Sequence, residues 1–231
     1  MRTTGVKKAL LGLVAVLGSG LLVACGSVDP NRFEPHPRQV AEQKENLYIA
    51  VDPDYLGHNV ISELYKTVLG NRGRFAVIRH EDNLIADPFD PLNEGTSDLV
   101  IGCTGALLEV VNPVLAGELE EEYLAAVEAG ETDINSGEWR DRTFDALIGS
   151  LPSRLDTADP SNAQGCPGAN GLPQNIVPIY RNPTFSRADR EILNWASGAI
   201  TTSELQELIE EAKELGRSRE LVKEFVASKG G

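Results

Sequence analysis

The segment Asp98-Leu99-Val100-Ile101-Gly102-Cys103-Thr104-Gly105-Ala106-Leu107-Leu108 constrains the fold more than any other stretch of the chain. Apolar residues of strand character run into Gly-Cys-Thr-Gly, and a Leu/Val-rich helical pattern begins at once. A strand that turns straight into a helix belongs to an α/β sheet. In open sheets of that kind, ligands sit outside the carboxyl ends of strands and beside helix N-termini. Thr104 is placed to cap the helix, and the first-turn N–H groups, that of Gly105 among them, would face a carboxylate or other anion. An ordinary βα turn, with glycines that merely allow the bend, fits the same residues.

Around this turn the chain supplies the rest of a sheet. Leu47-Tyr48-Ile49-Ala50-Val51 is nearly continuous in apolar character, as in a strand covered on both faces. A loop over Asp52–His58 leads into a helix from about Asn59 to Leu69, stopped by Gly70, and Phe75–Arg79 is the second strand. That βαβ unit implies parallel strands joined by a right-handed crossover. Residues 81–97 hold turn signals and room for one short helix near Pro91–Glu94.

Beyond Asn112-Pro113 the composition changes. Leu115–Gly130 reads as an amphipathic surface helix whose Glu118, Glu120, Glu121, Glu122 and Glu128 form a solvated face and not a metal site. Glu138–Ile148 is a second helix, with Trp139, Phe144 and Leu147 available for packing. Residues 149–174 are a long Gly-, Pro-, Ser- and Asn-rich loop that holds Cys166; a loop of this length is functional or pinned. Asn175–Arg181 returns to strand character, with Pro178 favouring an edge position. Ser186 with Asp189 opens a helix through Trp195, and Thr201 with Glu204 is a capping box for the next, which ends at Gly216. Ser218–Ser228 is the last helix.

The first residues speak to location. Arg2, Lys7 and Lys8 precede an apolar run, Ala9–Ala24, too short to span a bilayer as a mature helix, and Leu22-Val23-Ala24-Cys25 follows. That tetrad looks like a bacterial lipobox, so residues 1–24 are expected to be a signal peptide, with Cys25 lipidated on the extracytoplasmic face of a membrane. Residues 25–46 are polar and unperiodic and read as a tether that includes His36. The formal net charge is −14, and removing the signal peptide takes away three basic residues and no acid. A surface that acidic argues against nucleic acid as a partner.

Of three cysteines, Cys25 belongs to the lipobox. Cys103 and Cys166 then form a natural disulfide in an oxidising compartment, stabilising by about 3–4 kcal/mol in the chain-entropy model. A metal site is the weaker reading, because no histidine lies near either cysteine in sequence. A hydrolase using Cys103 would need a free thiol. No GxSxG, P-loop, dinucleotide fingerprint or HExxH motif is present, and His36, His58 and His80 are scattered. No nucleophile, base and oxyanion donor converge in sequence, so an enzyme is not expected, and no cofactor is implied. A binding protein needs only a cleft with some apolar walls and a few polar groups. Asp52, Tyr55 and the Cys103-Thr104-Gly105 turn stand at strand ends, and Trp139 and Tyr180 are the next aromatic candidates for holding a quaternary ammonium group.

The order of pieces resembles the solute-binding proteins of glycine betaine, choline and related osmoprotectant ABC importers, a branch of the type-2 periplasmic-binding-protein fold. The residues that carry the resemblance are Tyr55–Tyr65, Leu92–Leu99 followed by Thr104-Gly105, Asn175–Pro178 and the C-terminal run through Leu193-Asn194, Ile200–Leu208 and Val222–Phe225. It implies a ligand-facing role for Tyr55 and Thr104, a small zwitterionic or quaternary ammonium solute, and a membrane permease as partner. Cys103 stands where that family has a tyrosine, and residues 112–174 are short for a complete second lobe. The expectation is an α/β protein with a parallel or mixed sheet of about four to five strands like lobe one of that fold. Residues 47–111 and 175–231 would form the lobe, and 112–174 a reduced helical and loop insert. A rival expectation is a degenerate relative serving as an interaction or envelope-structural lipoprotein.

Overall fold

The computed structural model describes residues 46–53, 55–82, 84, 87–166 and 169–231. The expected signal peptide, the expected lipobox with Cys25, and most of the expected tether with His36 lie outside the described residues.

Five strands make one mixed sheet in the order β2-β1-β3-β5-β4: β1 (Asn46–Val51), β2 (Phe75–His80), β3 (Leu99–Cys103), β4 (Leu155–Thr157) and β5 (Ile176–Arg181). β1 runs parallel to both β2 and β3, with Asn46 opposite Phe75 and Ile49 opposite Leu99. β5 runs antiparallel to β3 and to β4. The βαβ expectation gives the parallel half, since helix α1 (Leu56–Asn71) crosses from β1 to β2. Pro178 fits within β5 because β4 pairs only with Ile179–Arg181, so the proline lies past the end of that short edge strand.

The two-residue period of the strands divides the interior. Leu47, Ile49 and Val51 of β1, Leu99 and Ile101 of β3, and Ile176 and Tyr180 of β5 face one layer. That layer is α1 with α6 (Arg187–Ala199), α7 (Thr202–Leu215) and α8 (Ser218–Ser228). Ala50, Val100, Val177 and Ile179 face the other, formed by α3 (Thr104–Val111), α4 (Pro113–Glu128) and α5 (Gly137–Ser150). Residues 112–174, read from sequence as an insert, thus provide an edge strand and a helical layer for the same sheet. The physical reason is plain: Val100, Val177 and Ile179 need cover, and Leu119, Tyr123, Trp139 and Leu147 supply it.

Helix ends follow the sequence where it carried caps. Ser186 with Asp189 and Thr201 with Glu204 each form a reciprocal capping box, and α7 stops at Gly216 in the left-handed region (φ 62°). The start of β3 is fixed electrostatically: the buried Asp98 carboxylate accepts from the Tyr48 N–H (3.0 Å) and from Arg181 (3.0 Å), tying β1 and β5 to β3. The short α2 (Asp90–Glu94) precedes it.

Candidate functional site

β1 and β3 are adjacent and parallel, so their carboxyl ends open on the same side of the sheet. After β1 the chain passes through Asp52-Pro53 to Tyr55, an extended residue (φ −105°) that serves as the N-cap of α1. The Asn59 side chain donates to the carbonyls of Asp52 (3.3 Å) and Tyr55 (3.2 Å) and so holds this loop. One turn into α1, His58 meets the Tyr55 ring edge-on, with centroids 4.3 Å apart.

β3 ends in Gly102-Cys103, and Cys103 is disulfide-bonded to Cys166, as the cysteine count led us to expect. Cys166 adopts a left-handed conformation (φ 50°), and its N–H donates to Tyr55 Oη at 2.9 Å. Its Sγ lies 3.9 Å from His58 Nε2. Between these groups is a cavity of ≈ 230 Å³ walled by Tyr55, His58, Leu84, Ile101, Ala106, Leu107 and the disulfide. That volume is smaller than the roughly 300–1,000 Å³ of drug-sized sites and suits a compact solute.

The walls are neutral. Burial pushes the His58 imidazole down to about 4, against the opposing pull of the Asp52 carboxylate. Burial also raises the Tyr55 phenol above its ordinary range, while the hydrogen bond from Cys166 acts the other way.

The N-terminus of α3 departs from the expectation that its N–H groups await a ligand. Thr104 N–H donates to Asn175 O (3.0 Å), Gly105 N–H to Pro173 O (3.2 Å) and Ala106 N–H to Gln174 Oε1 (3.0 Å). Residues 173–175 therefore occupy the place a carboxylate would take. Gly105 is the residue that lets them in, because a Cβ there would collide with Gln174, Asn170 and Leu172. Thr104 is not a side-chain cap. It is buried, its Oγ1 donates to Pro173 O (2.7 Å) and accepts from the Asn175 N–H (3.2 Å), and Cys103 holds the cap position.

The remaining aromatic candidates lie elsewhere. Tyr180 is buried in the α1 layer against Phe185 (4.9 Å), with its hydroxyl donating to Thr157 O (3.2 Å). It pairs with Leu99 at the amino end of β3, away from the carboxyl end where the cavity lies. Trp139 packs in the α3 layer against Tyr123 (5.1 Å), under Arg142 (4.0 Å to the ring centroid), where it holds α5 to the sheet. Neither lines the cavity, so among the described residues these two do not join Tyr55 in an aromatic cage. Asp52, 8 % exposed, stands at the end of β1 and acts on the site through its charge on His58. His80 lies in a different cleft, beside Arg217 and Arg219.

Sequence reasoning underrated His58. Its distance from both cysteines along the chain told against a shared site, yet the pairing of β1 with β3 closes that distance. The legible signal was its place just after Tyr55, at the start of the helix that follows the strand next to the one that carries Cys103. His58, Cys103 and Cys166 present donor atoms within 4.8 Å of one another, although sulfurs joined in a disulfide offer no thiolate to a metal.

No family model matches the sequence, and no curated protein matches it. Among solved structures, the fold is similar to a crystal structure of a glycine betaine/carnitine/choline ABC transporter protein (TM-score 0.53, 12% identity, covering 79% of this chain and 98% of that one). It is likewise similar to apo YehZ from Escherichia coli (TM-score 0.56, 10% identity, 81% of this chain and 99% of that one). At such identity the likeness is one of fold: a mixed α/β sheet built like a periplasmic-binding-protein lobe. No helix among the described residues is long and apolar enough to cross a membrane.

Proposed function

We propose that the chain is an exported, lipid-anchored solute-binding protein of an ABC importer, and that it captures a small zwitterionic or quaternary ammonium solute by reversible binding without chemistry. The observation that carries this reading is the ≈ 230 Å³ cavity where β1 and β3 end, walled by Tyr55 and His58. Export fits the basic start, the apolar run and the Leu22–Cys25 tetrad.

The class of solute follows from what the cavity lacks and what it keeps. The first N–H groups of α3 are taken by residues 173–175, so that helix N-terminus is not left to hold an anion. The imidazole is neutral at physiological pH and the Tyr55 ring is a face for a cation, worth about 0.5–2 kcal/mol. Asp52 behind His58 and a net charge of −14 turn the field against anions as well. The same fold appears in the glycine betaine/carnitine/choline transporter structure.

Titration calorimetry with glycine betaine, choline and carnitine tests the reading. One of them is expected to bind at one site per chain, and Tyr55→Ala to weaken that binding at least tenfold. A single observation favours the rival reading, an interaction or envelope-structural lipoprotein: residues 112–174 cover the sheet instead of building a second lobe that could clamp a solute. Absence of heat with all three solutes, and with amino acids, would select the rival.

A further inference from the structure

We propose that reduction of the Cys103–Cys166 disulfide turns one wall of the cavity into a Cys2His site for a thiophilic d10 cation, Cu(I) before Zn(II), with His58 Nε2 and the two sulfurs as ligands. The proposal is independent of solute capture, since it rests on the disulfide and the histidine alone.

The donor atoms already lie within 4.8 Å of one another. Metal–sulfur bonds of about 2.3 Å and metal–nitrogen bonds of about 2.0 Å place donors about 3.5–4 Å apart. The 3.9 Å from His58 Nε2 to Cys166 Sγ therefore meets that spacing, and the two bonded sulfurs must separate. One of them is fixed: Cys103 ends a central strand and is 0 % exposed. The other is on the loop before β5 and is partly exposed, so it is the one that moves.

His58 is what a purely structural disulfide does not need. It is 6 % exposed, and its Nδ1 has no hydrogen-bond partner among the described residues. A buried core imidazole is ordinarily satisfied at its polar atoms; this one instead turns Nε2 toward sulfur. Soft thiolates select Cu(I) and Zn(II) among the common metals. The cluster holds three donors and is flanked by Ile101, Ala106 and Leu107. Three donors satisfy Cu(I), whereas tetrahedral Zn(II) needs a fourth from water or solute.

The switch balances with a dithiol reductant. Its thiolate attacks Cys166 Sγ, the S–S bond breaks, and Cys103 leaves as a thiolate that takes up a proton. The second thiol then displaces Cys166 and departs with the first as the oxidised, cyclic disulfide. Two electrons and two protons pass to the protein, and metal binding releases the two thiol protons.

The test uses the whole chain, reduced with dithiothreitol, desalted under argon and titrated with Cu(I) against a chromophoric chelator. Zn(II) is titrated in parallel. The reduced protein is expected to take up one Cu(I) per chain at least 100-fold more tightly than the oxidised form, and X-ray absorption to report two sulfur donors and one nitrogen. His58→Ala should weaken uptake at least tenfold and remove the nitrogen donor while both thiols still titrate. Equal uptake by the two forms overturns the proposal, and so does uptake that ignores His58→Ala. Binding of Zn(II) without Cu(I) overturns it too, as does loss of the near-ultraviolet circular dichroism on reduction before metal is added.

Discussion

Two side chains, His58 and Thr104, illustrate how a residue's environment sets its role. In the disulfide-bonded protein His58 is folded in its neutral form, with a pKa of about 4 against 6.5 in an exposed chain. Between those values the unfolded chain holds the proton and the folded one does not. This group's contribution is therefore complete above pH 6.5 and is lost as pH falls toward 4, by on the order of 3 kcal/mol. Among the described residues, Asp52 and Tyr55 are titratable groups that face the ring, and the Asp52 charge opposes the loss without cancelling it. Denaturant titrations at pH 7.5 and 4.5 should show a larger drop for the wild type than for His58→Asn, whose side chain carries no proton in this range. Thr104 was expected to touch solute and instead joins the turn of α3 to residues 173–175. Thr104→Val leaves Pro173 O and the Asn175 N–H without their hydroxyl partner, and should lower unfolding free energy by about 1–3 kcal/mol. A loss of solute binding with unchanged stability would return Thr104 to the role of ligand.

At the level of elements, the helices opened by a capping box start where the residues place them, whereas α1, expected over about Asn59–Leu69, begins at Leu56 and runs through Gly70 to Asn71. The Glu204 N–H donates to Thr201 Oγ1, while the Glu204 carboxylate accepts from the Thr201 N–H (2.9 Å) and Oγ1–H (2.8 Å), and Lys229, the C-cap residue of α8, donates to the same carboxylate at 2.6 Å. That lysine, with the two Thr201 bonds, holds Glu204 down at about 2. Thr201→Ala should cost about 1 kcal/mol in a thermal or denaturant melt, as for other lost N-caps. α5 depends instead on a single large anchor. Trp139 is 4 % exposed between Tyr123 and the sheet, so Trp139→Ala should cost about 3–5 kcal/mol, far more than any cap. The same change is expected to leave the Tyr55 cavity in place, because the tryptophan does not line it.

For the whole molecule, the disulfide closes a chain separation of 63 residues and joins β3 to the loop that precedes β5. In the chain-entropy model that closure is worth about 4 kcal/mol, so Cys103→Ala with Cys166→Ala should lower the denaturation midpoint accordingly. Exchanging Cys25 for Ser is expected to release the exported protein from the membrane fraction, since one lipidated cysteine is the proposed anchor. What the sequence by itself determined is local. Strand and helix periods, the βα turn at Gly102–Gly105, the capping boxes at Ser186 and Thr201, and the cysteine pairing each depend on residue types at short spacing or on simple counting. Tertiary structure alone decided which surfaces were left over. It put α4 and α5 on the bare face of the sheet, filled the α3 N-terminus with residues 173–175, buried Trp139 and Tyr180 in opposite layers, and brought His58 to the disulfide. The reason is that exposed apolar area and unpaired N–H groups belong to no single segment. They are satisfied by whichever part of the chain can reach them once the strands have paired.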